Sequence, residues 1–343
     1  MGEALHHHEG EHDIPRTLHL HAGLPKCGSS TLQAFLLQAR AALLAAGYDY
    51  PPLVDKAIGN LTPFLMSLRS DRAVFVHNNP DFDRTKAQTS LQVALATSEA
   101  PNMILSSEGL TAEIKRRNLN FLWDGFDRVV VHLFFRPRTS WIASHYTQAV
   151  KSGKYTTDME GFLASNLFAE RVSKTMNFSE HAQLWADLVG VDNIRFHFLG
   201  KGHSGPVEQF LDELGLAEVI STEIPADSNI SPSAFVTCVL ASVERGDQQE
   251  FLKFSRRVRR MAAKVDPFPS RGLLTDALVA QINRHYAKDT AKLLAVQDKI
   301  TRVDLEPNLS EKTHDAVTFA EIRATEAYGQ LREELARIDA RLR

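Results

Sequence analysis

Cysteine is almost absent from this chain of 343 residues, which holds only Cys27 and Cys238. Two distant thiols supply neither a disulfide framework nor a multi-thiolate zinc module, and they suit a reducing compartment. A surplus of one charge is also missing. Lys plus Arg number 39 against 42 Asp plus Glu, a formal net charge of −3. No overall basic field exists of the kind that non-specific nucleic-acid binders use, so any anion site has to be local. No apolar run approaches a membrane span, and the polar, His-rich start (residues 1–13) lacks the apolar centre of a secretory signal. These absences lead to the expectation of a soluble, cytoplasmic protein with no membrane span and no nucleic-acid partner. Internal repeats and Gly/Ser-rich linkers are lacking too. What remains, 43% hydrophobic and 24% charged residues, is enough for one large or two ordinary globular domains.

Residues 1–14 show no apolar periodicity and carry His6, His7, His8 and His12, which reads as a disordered tail without a defined metal geometry. Residues 15–230 alternate short apolar runs with helical segments. The runs are Thr17–Ala22, Gly47–Tyr50, Asn102–Ser107, Arg128–Phe135 and Asn193–Leu199. Such alternation predicts an α/β nucleotide-binding domain, a central parallel sheet flanked by helices. Val129 to Phe135 is nearly unbroken in hydrophobicity, as an interior strand covered on both faces should be. A long helix is expected from Ser30 to about Ala46. Residues 231–343 read as a helical carboxyl-terminal extension. Phe319, Ile322, Leu331, Leu335, Ile338 and Leu342 share one helical face there. That face fits packing on the catalytic domain, with a homodimer through the last helix as the alternative.

The segment Gly23-Leu24-Pro25-Lys26-Cys27-Gly28-Ser29-Ser30-Thr31 joins the first strand to the first long helix. At a helix amino terminus the first N–H groups lack intrahelical partners and the macrodipole is positive, so an anion is stabilised there. Gly28 lets the backbone approach a ligand, the hydroxyls of Ser29, Ser30 and Thr31 add donors, and Lys26 adds a full charge. The nucleoside-triphosphate loop G-x-x-x-x-G-K-[ST] has the same two glycines, but Ser29 stands where its lysine would be. The plain alternative is a strand-to-helix turn with a surface lysine.

The loop resembles the 5′-phosphosulfate-binding loop of sulfotransferases that use 3′-phosphoadenosine 5′-phosphosulfate (PAPS). That loop runs Pro-Lys-x-Gly-[Ser/Thr]-[Ser/Thr], and Pro25 to Ser30 match it throughout. The family's second signature is an Arg after a buried strand with a Ser eight residues on. Arg136 follows the strand ending at Phe135, and Ser144 lies eight positions later. Trp141, Tyr146, Gln148, Lys151 and Gly153 resemble a helix of bacterial members, and Asn229-Ile230-Ser231 resembles a turn before their helical part. The likeness covers roughly Leu18 to Ala295. Cys27 occupies a variable position of the loop, and a basic Lys-Gly motif that some cytosolic members carry is not found, which leaves contacts to the adenosine ring unassigned.

The resemblance implies a P-loop NTPase-like sulfotransferase fold and a PAPS-dependent transferase. A sulfuryl group would pass in line to a hydroxyl, with an amine ranked second, of a small molecule, carbohydrate or lipid headgroup. The product nucleotide would be 3′-phosphoadenosine 5′-phosphate (PAP), and no metal is required. Lys26, Cys27, Gly28, Ser29, Ser30 and Thr31 would hold the 5′-phosphosulfate, with Lys26 also meeting charge on the leaving phosphate. Arg136 and Ser144 would hold the 3′-phosphate. Alternatively Arg136 is a helix-start residue paired with a carboxylate and Ser144 a small buried helix residue.

For the base, Glu108 closes the strand that begins near Met103, and open parallel sheets bind ligands outside the carboxyl ends of their strands. That strand is expected beside the one carrying Arg136. His77 competes, since its intrinsic pKa suits base work. A capping Glu108 and a loop His77 are the bland readings, and Glu108 ranks first. Two other functions fit less well: a nucleotide-dependent kinase with a degenerate phosphate loop, and a non-catalytic nucleotide-binding module.

Overall fold

A computed structural model of the chain describes residues 14–343 apart from 55, 57, 72, 201–202, 222–231, 244–247, 297–304, 307–315 and 343. The tail histidines His6, His7, His8 and His12 and the turn Asn229-Ile230-Ser231 lie outside the described residues. Each of the five apolar runs carries a strand: β1 (Thr17–His21), β2 (Tyr48–Asp49), β3 (Asn102–Ser106), β4 (Arg128–Phe135) and β5 (Ile194–Phe198). They form one sheet in the order β2-β3-β1-β4-β5. Parallel registers set Leu18 opposite both Met103 and Val129, and Leu20 opposite both Leu105 and Val131. Contacts of Arg128 with Asn193, His132 with His197 and Phe135 with Leu199 advance together along β4 and β5, as in a parallel pair.

One expected adjacency is corrected. β1 lies between β3 and β4, so the strand before Glu108 is not the neighbour of the strand before Arg136. The reason is pairing at long range: β1 satisfies hydrogen bonds on both of its edges, and nothing in the local pattern of β3 or β4 records that. The long first helix is also interrupted. It runs as α1 (Ser29–Gln38) and α2 (Arg40–Ala45) with Ala39 between, where Arg40 Nε donates to Tyr50 O at 3.0 Å. Two shorter helices, α3 (Thr62–Ser67) and α4 (Ala73–Asn78), follow β2.

Side chains alternate along a strand, so the register gives the sheet two unlike faces. Leu18, Leu20, Met103, Leu105 and Val131 are fully buried on one. The other carries His19, His21, Ser106, His132, Phe134 and His197, also buried. His19 Nδ1 lies 3.1 Å from His132 Nε2, and His132 Nδ1 lies 3.1 Å from His197 Nε2. Three rings from β1, β4 and β5 are thus joined edge to edge. Phe134 stacks on His197 with centroids 4.2 Å apart, and Phe210 from the helix Pro206–Leu214 covers His132 at 4.7 Å. Neutral rings carry one N–H each, enough to supply both ring-to-ring bonds.

Contacts separate two compact units. The first comprises the described residues of Met1–Phe134, Leu184–His197 and Ser204–Pro225, and the second those of Phe135–Gln183, Phe198–His203 and Ala226–Arg343. The second unit is helical. Its buried centre is Arg138, whose guanidinium donates to Met176 O at 3.1 Å, to Thr290 Oγ1 at 2.9 Å and to Asp289. The rings of Phe178 and Tyr286 lie against it, at 4.5 and 4.9 Å. Asp289 also accepts from the amides of Phe178 and Ser179, at 3.0 and 3.1 Å, which caps the helix Phe178–Val189. Tyr146 is buried and donates to Thr157 O at 2.6 Å, while Gly153 has φ +71° with the Phe251 ring where a side chain would project. Phe319, Ile322, Leu331, Leu335 and Ile338 of the last two helices are buried within the single chain.

Burial lowers the proton affinity of the histidine face: His19 falls to about 4, His21 and His197 to about 3, and His132 well below the usual range, its neighbours His197 and His19 adding to the effect. In the unfolded chain these rings bind protons below about pH 6.5. Their contribution to stability is therefore complete above that pH and is lost as pH falls toward about 4. Denaturant midpoints measured from about pH 7.5 to 4.5 should decline, with unfolding taking up roughly two or more protons near pH 5. A flat profile would contradict neutral buried rings.

Candidate anion-binding loop and cleft

β1 extends its ladder by one residue, Ala22 N donating to His132 O at 3.1 Å, before the chain turns. The turn is held from below by burial of Leu24 and Cys27, and closed by Cys27 N donating to Leu24 O at 3.2 Å. Pro25 is exposed and Lys26 half-buried. Two residues are left-handed: Lys26 with φ +66° and Gly28 with φ +75°. Glycine adopts that region freely, whereas for lysine it costs about 1–2 kcal/mol. Gly28 is the N-cap of α1 and provides no side chain to satisfy the first turn. Among the described residues the amides of Gly28, Ser29 and Ser30 find no backbone acceptor. Successive amides in such a turn form an anion-binding concavity.

Beneath the loop the packing is tight. His21 Nδ1 lies 2.7 Å from Ser106 Oγ, which also accepts from Gln33 Nε2 of α1 at 3.2 Å. His21 Nε2 and Ser29 Oγ are both buried without a well-aligned partner. They converge on Gly23, where a Cβ would stand 2.6 Å from the ring nitrogen and 2.5 Å from the hydroxyl.

Glu108 enters from β3. Ser107 N donates to His21 O at 3.0 Å, so Glu108 emerges at the carboxyl edge beside the loop. Burial raises its pKa, while the Ser29 hydroxyl and the Lys26 charge pull it back. The Ser29 contact is close enough to act on the carboxylate yet not aligned as a good hydrogen bond. Glu108, Ser30 and Pro25 line a cleft of about 530 Å³, whose far wall includes Ile58, Met66 and Phe75. The polar groups of that wall are bound to one another. Thr62 Oγ1 donates to Ile58 O at 2.5 Å and meets Ser107 Oγ at 2.9 Å, and Asn79 bonds Lys56 Nζ and Phe75 O at 3.1 and 2.9 Å. A guest would meet a mainly apolar wall with a carboxylate at its edge.

Among the expected site residues, Lys26, Ser29, Ser30 and Glu108 come together, with Gly28 at the cap and Thr31 half-buried in the first turn of α1. The Cys27 side chain is fully buried, so the loop presents only its backbone at that position. His77 is exposed on α4 and is not among the residues lining the cleft, although Phe75 and Asn79 beside it are. Arg136 directly follows β4, and Ser144 lies about two turns into the helix Arg138–Lys151; both are half-buried members of the second unit. The joint made by His21, Gln33 and Ser106 has no counterpart in the expectations from sequence, where polar residues at buried positions of a strand or helix are its only signal. Among the described residues no group of three or more His, Cys, Asp or Glu could hold a metal ion, and no helix is long and apolar enough to cross a membrane.

No protein-family model and no curated protein matches the sequence. Among solved structures, a sulfotransferase from Alicyclobacillus acidocaldarius is similar over 82% of this chain and 96% of its own, with 13% identity and a TM-score of 0.47.

The fit under the loop is testable without any ligand. Gly23→Ala places a methyl against Ser29 Oγ and His21 Nε2, both held by buried neighbours. Overpacking of this kind costs about 1–3 kcal/mol. The denaturation midpoint should fall accordingly, and an unchanged midpoint would mean that the loop relaxes freely.

Proposed function

We propose that the chain is a PAPS-dependent sulfotransferase acting on a hydroxyl, with an amine ranked second, of a small molecule, carbohydrate or lipid headgroup. The observation that carries this reading is the meeting of a single carboxylate, Glu108, with a lysine-bearing, amide-rich loop at the edge of a cleft. The loop suits a phosphosulfate. Its amides at Gly28, Ser29 and Ser30 lack backbone acceptors, the Ser29 hydroxyl is buried and available, and Lys26 brings the charge. When bound, the donor supplies an activated sulfur–oxygen bond.

The residues of this chain then divide the work. The amides of Gly28, Ser29 and Ser30, with the hydroxyls of Ser30 and Thr31, hold the 5′-phosphosulfate, and Cys27 supports them by closing the turn onto Leu24 O and burying its side chain beneath the loop. Glu108 accepts the acceptor's proton as the new oxygen–sulfur bond forms, and burial makes its carboxylate a stronger base than an exposed one. Lys26 meets the negative charge left on the phosphate oxygen as the old bond breaks, a preorganised stabilisation that grows along the reaction. By resemblance, Arg136 and Ser144 hold the 3′-phosphate, the first through its planar fork of donors and the second through its hydroxyl. The products are a sulfate ester and PAP.

Calorimetric titration should show PAP binding far better than adenosine 5′-phosphate. Arg136→Ala should erase most of that preference, and Ser144→Ala should cost about 0.5–1.5 kcal/mol. Equal affinities for the two nucleotides would remove the 3′-phosphate assignment.

Turnover tests the chemistry separately, with sulfur-labelled donor and pooled acceptors. Lys26→Ala should slow it on the order of 100-fold, a larger loss than the loss of nucleotide affinity. Glu108→Gln should slow it roughly 100-fold or more, at nearly unchanged affinity, and His77→Ala should have the smaller effect. Activity should persist in EDTA. An inactive His77→Ala beside a normal Glu108→Gln would reverse the base assignment.

A further inference from the structure

The helix Gln248–Lys264 of the second unit carries a face that the proposed reaction leaves unused. From Phe251 through Lys264 it contains no acidic residue. Lys253, Arg257, Arg260 and Lys264 follow one another at intervals of four, three and four, with Arg256 beside them, and all five are exposed. Residues at that spacing share one side of a helix. Phe251, Ser255, Val258 and Ala262 are buried on the opposite side. Among the described residues none of the five cations takes part in an ion pair or side-chain hydrogen bond. The first carboxylate after the helix, Asp266, is engaged by the Ser233 hydroxyl and by Phe268 N at 2.7 Å. In a chain of net charge −3, this is a concentrated field of one sign.

Apolar side chains accompany it. Leu252 is 39% exposed beside Lys253, and Val265 is 47% exposed just beyond Lys264. A hydrated linear polyanion would satisfy the charges and leave these two in water. An anionic lipid surface satisfies the charges with its headgroups and takes the two side chains into its apolar boundary.

We propose that this helix face docks the protein, peripherally and reversibly, on an anionic lipid surface. The helix stays packed on its own unit, because its apolar side is already buried, and only the stripe and its two flanking side chains reach the headgroup layer. Attraction of this type adds about a factor of five in partitioning for each cation and falls off within a Debye length.

The test is sedimentation of the full chain with vesicles of phosphatidylcholine alone and of phosphatidylcholine containing phosphatidylserine. Binding should require the anionic lipid and weaken steeply with added salt. Combined Arg256→Gln, Arg257→Gln and Arg260→Gln should reduce it on the order of 100-fold, with the thermal transition unchanged. Leu252→Ser with Val265→Ser should weaken vesicle binding while leaving retention on a heparin column as it was. No binding to anionic vesicles, equal binding to neutral ones, or indifference to the triple substitution would each overturn the proposal. Retention on heparin without vesicle binding would assign the stripe to a soluble polyanion and overturn it as well.

Discussion

The buried hydrogen bond between His21 Nδ1 and Ser106 Oγ, 2.7 Å long, is the joint on which the candidate site depends. It ties the carboxyl end of β1 to that of β3, and Gln33 brings α1 to the same hydroxyl. The loop leaves β1 just above this joint and returns into α1, while Glu108 leaves β3 two residues beyond it. The separation of Lys26 and Glu108 is thus set by a buried polar cluster and not by the loops that carry them. A serine hydroxyl has one proton to place. With Gln33 donating to Oγ, the serine proton finds an acceptor when Ser106 donates to His21 Nδ1, and the ring proton then sits on Nε2 beneath Gly23 and Ser29, where no aligned acceptor meets it. The ring would then face the loop as a donor, in keeping with an anion above it.

The same economy governs the sheet. One face is closed by leucines, valines and Met103, where burial contributes about 1.5–3 kcal/mol for each large side chain. The histidine face gains less from burial, and a ring nitrogen left without a partner there, as His21 Nε2 is, carries a desolvation penalty of about 1–3 kcal/mol. Partners for His19, His132 and His197 come from across the strands: His19 reaches His132, two positions beyond its own register partner Val130, and His132 reaches His197. The network holds only while its rings are neutral, so charge is excluded from the centre of the first unit and confined to its carboxyl edge.

Much of this was legible from residues alone. Five apolar runs located five strands, because strands covered on both faces must be apolar nearly throughout. The loop and Glu108 were legible because glycine, lysine and hydroxyls at a strand-to-helix turn have a specific physical use. Strand order was not, since β1's two-sided pairing is decided by contacts far apart in sequence. The histidine face escaped for a related reason: His19 and His21 read singly as polar interruptions, and only the register shows that His132 and His197 complete them. The buried pair of Arg138 with Asp289 was not legible either, since no local pattern links residues 138 and 289. His77 lies on α4 between two residues of the cleft wall, Phe75 and Asn79, yet is itself exposed and outside the lining, a difference of helix face that no residue type announces.

Lys26 and Glu108 place opposing demands on one another. In the proposed reaction a lysine close to the phosphate would stabilise the developing charge, yet the same charge lowers the proton affinity of a neighbouring carboxylate and so weakens it as a base. Burial acts in the other direction and is the larger influence on Glu108. The compromise needs both groups held at fixed positions, since a shift of the loop toward the carboxylate would favour a closed ion pair over either function. Lys26 is held by a strained backbone between two buried side chains, Leu24 and Cys27, and Glu108 by a strand end. In the proposed reaction, packed supports on both sides would let the two charges act on one bound anion.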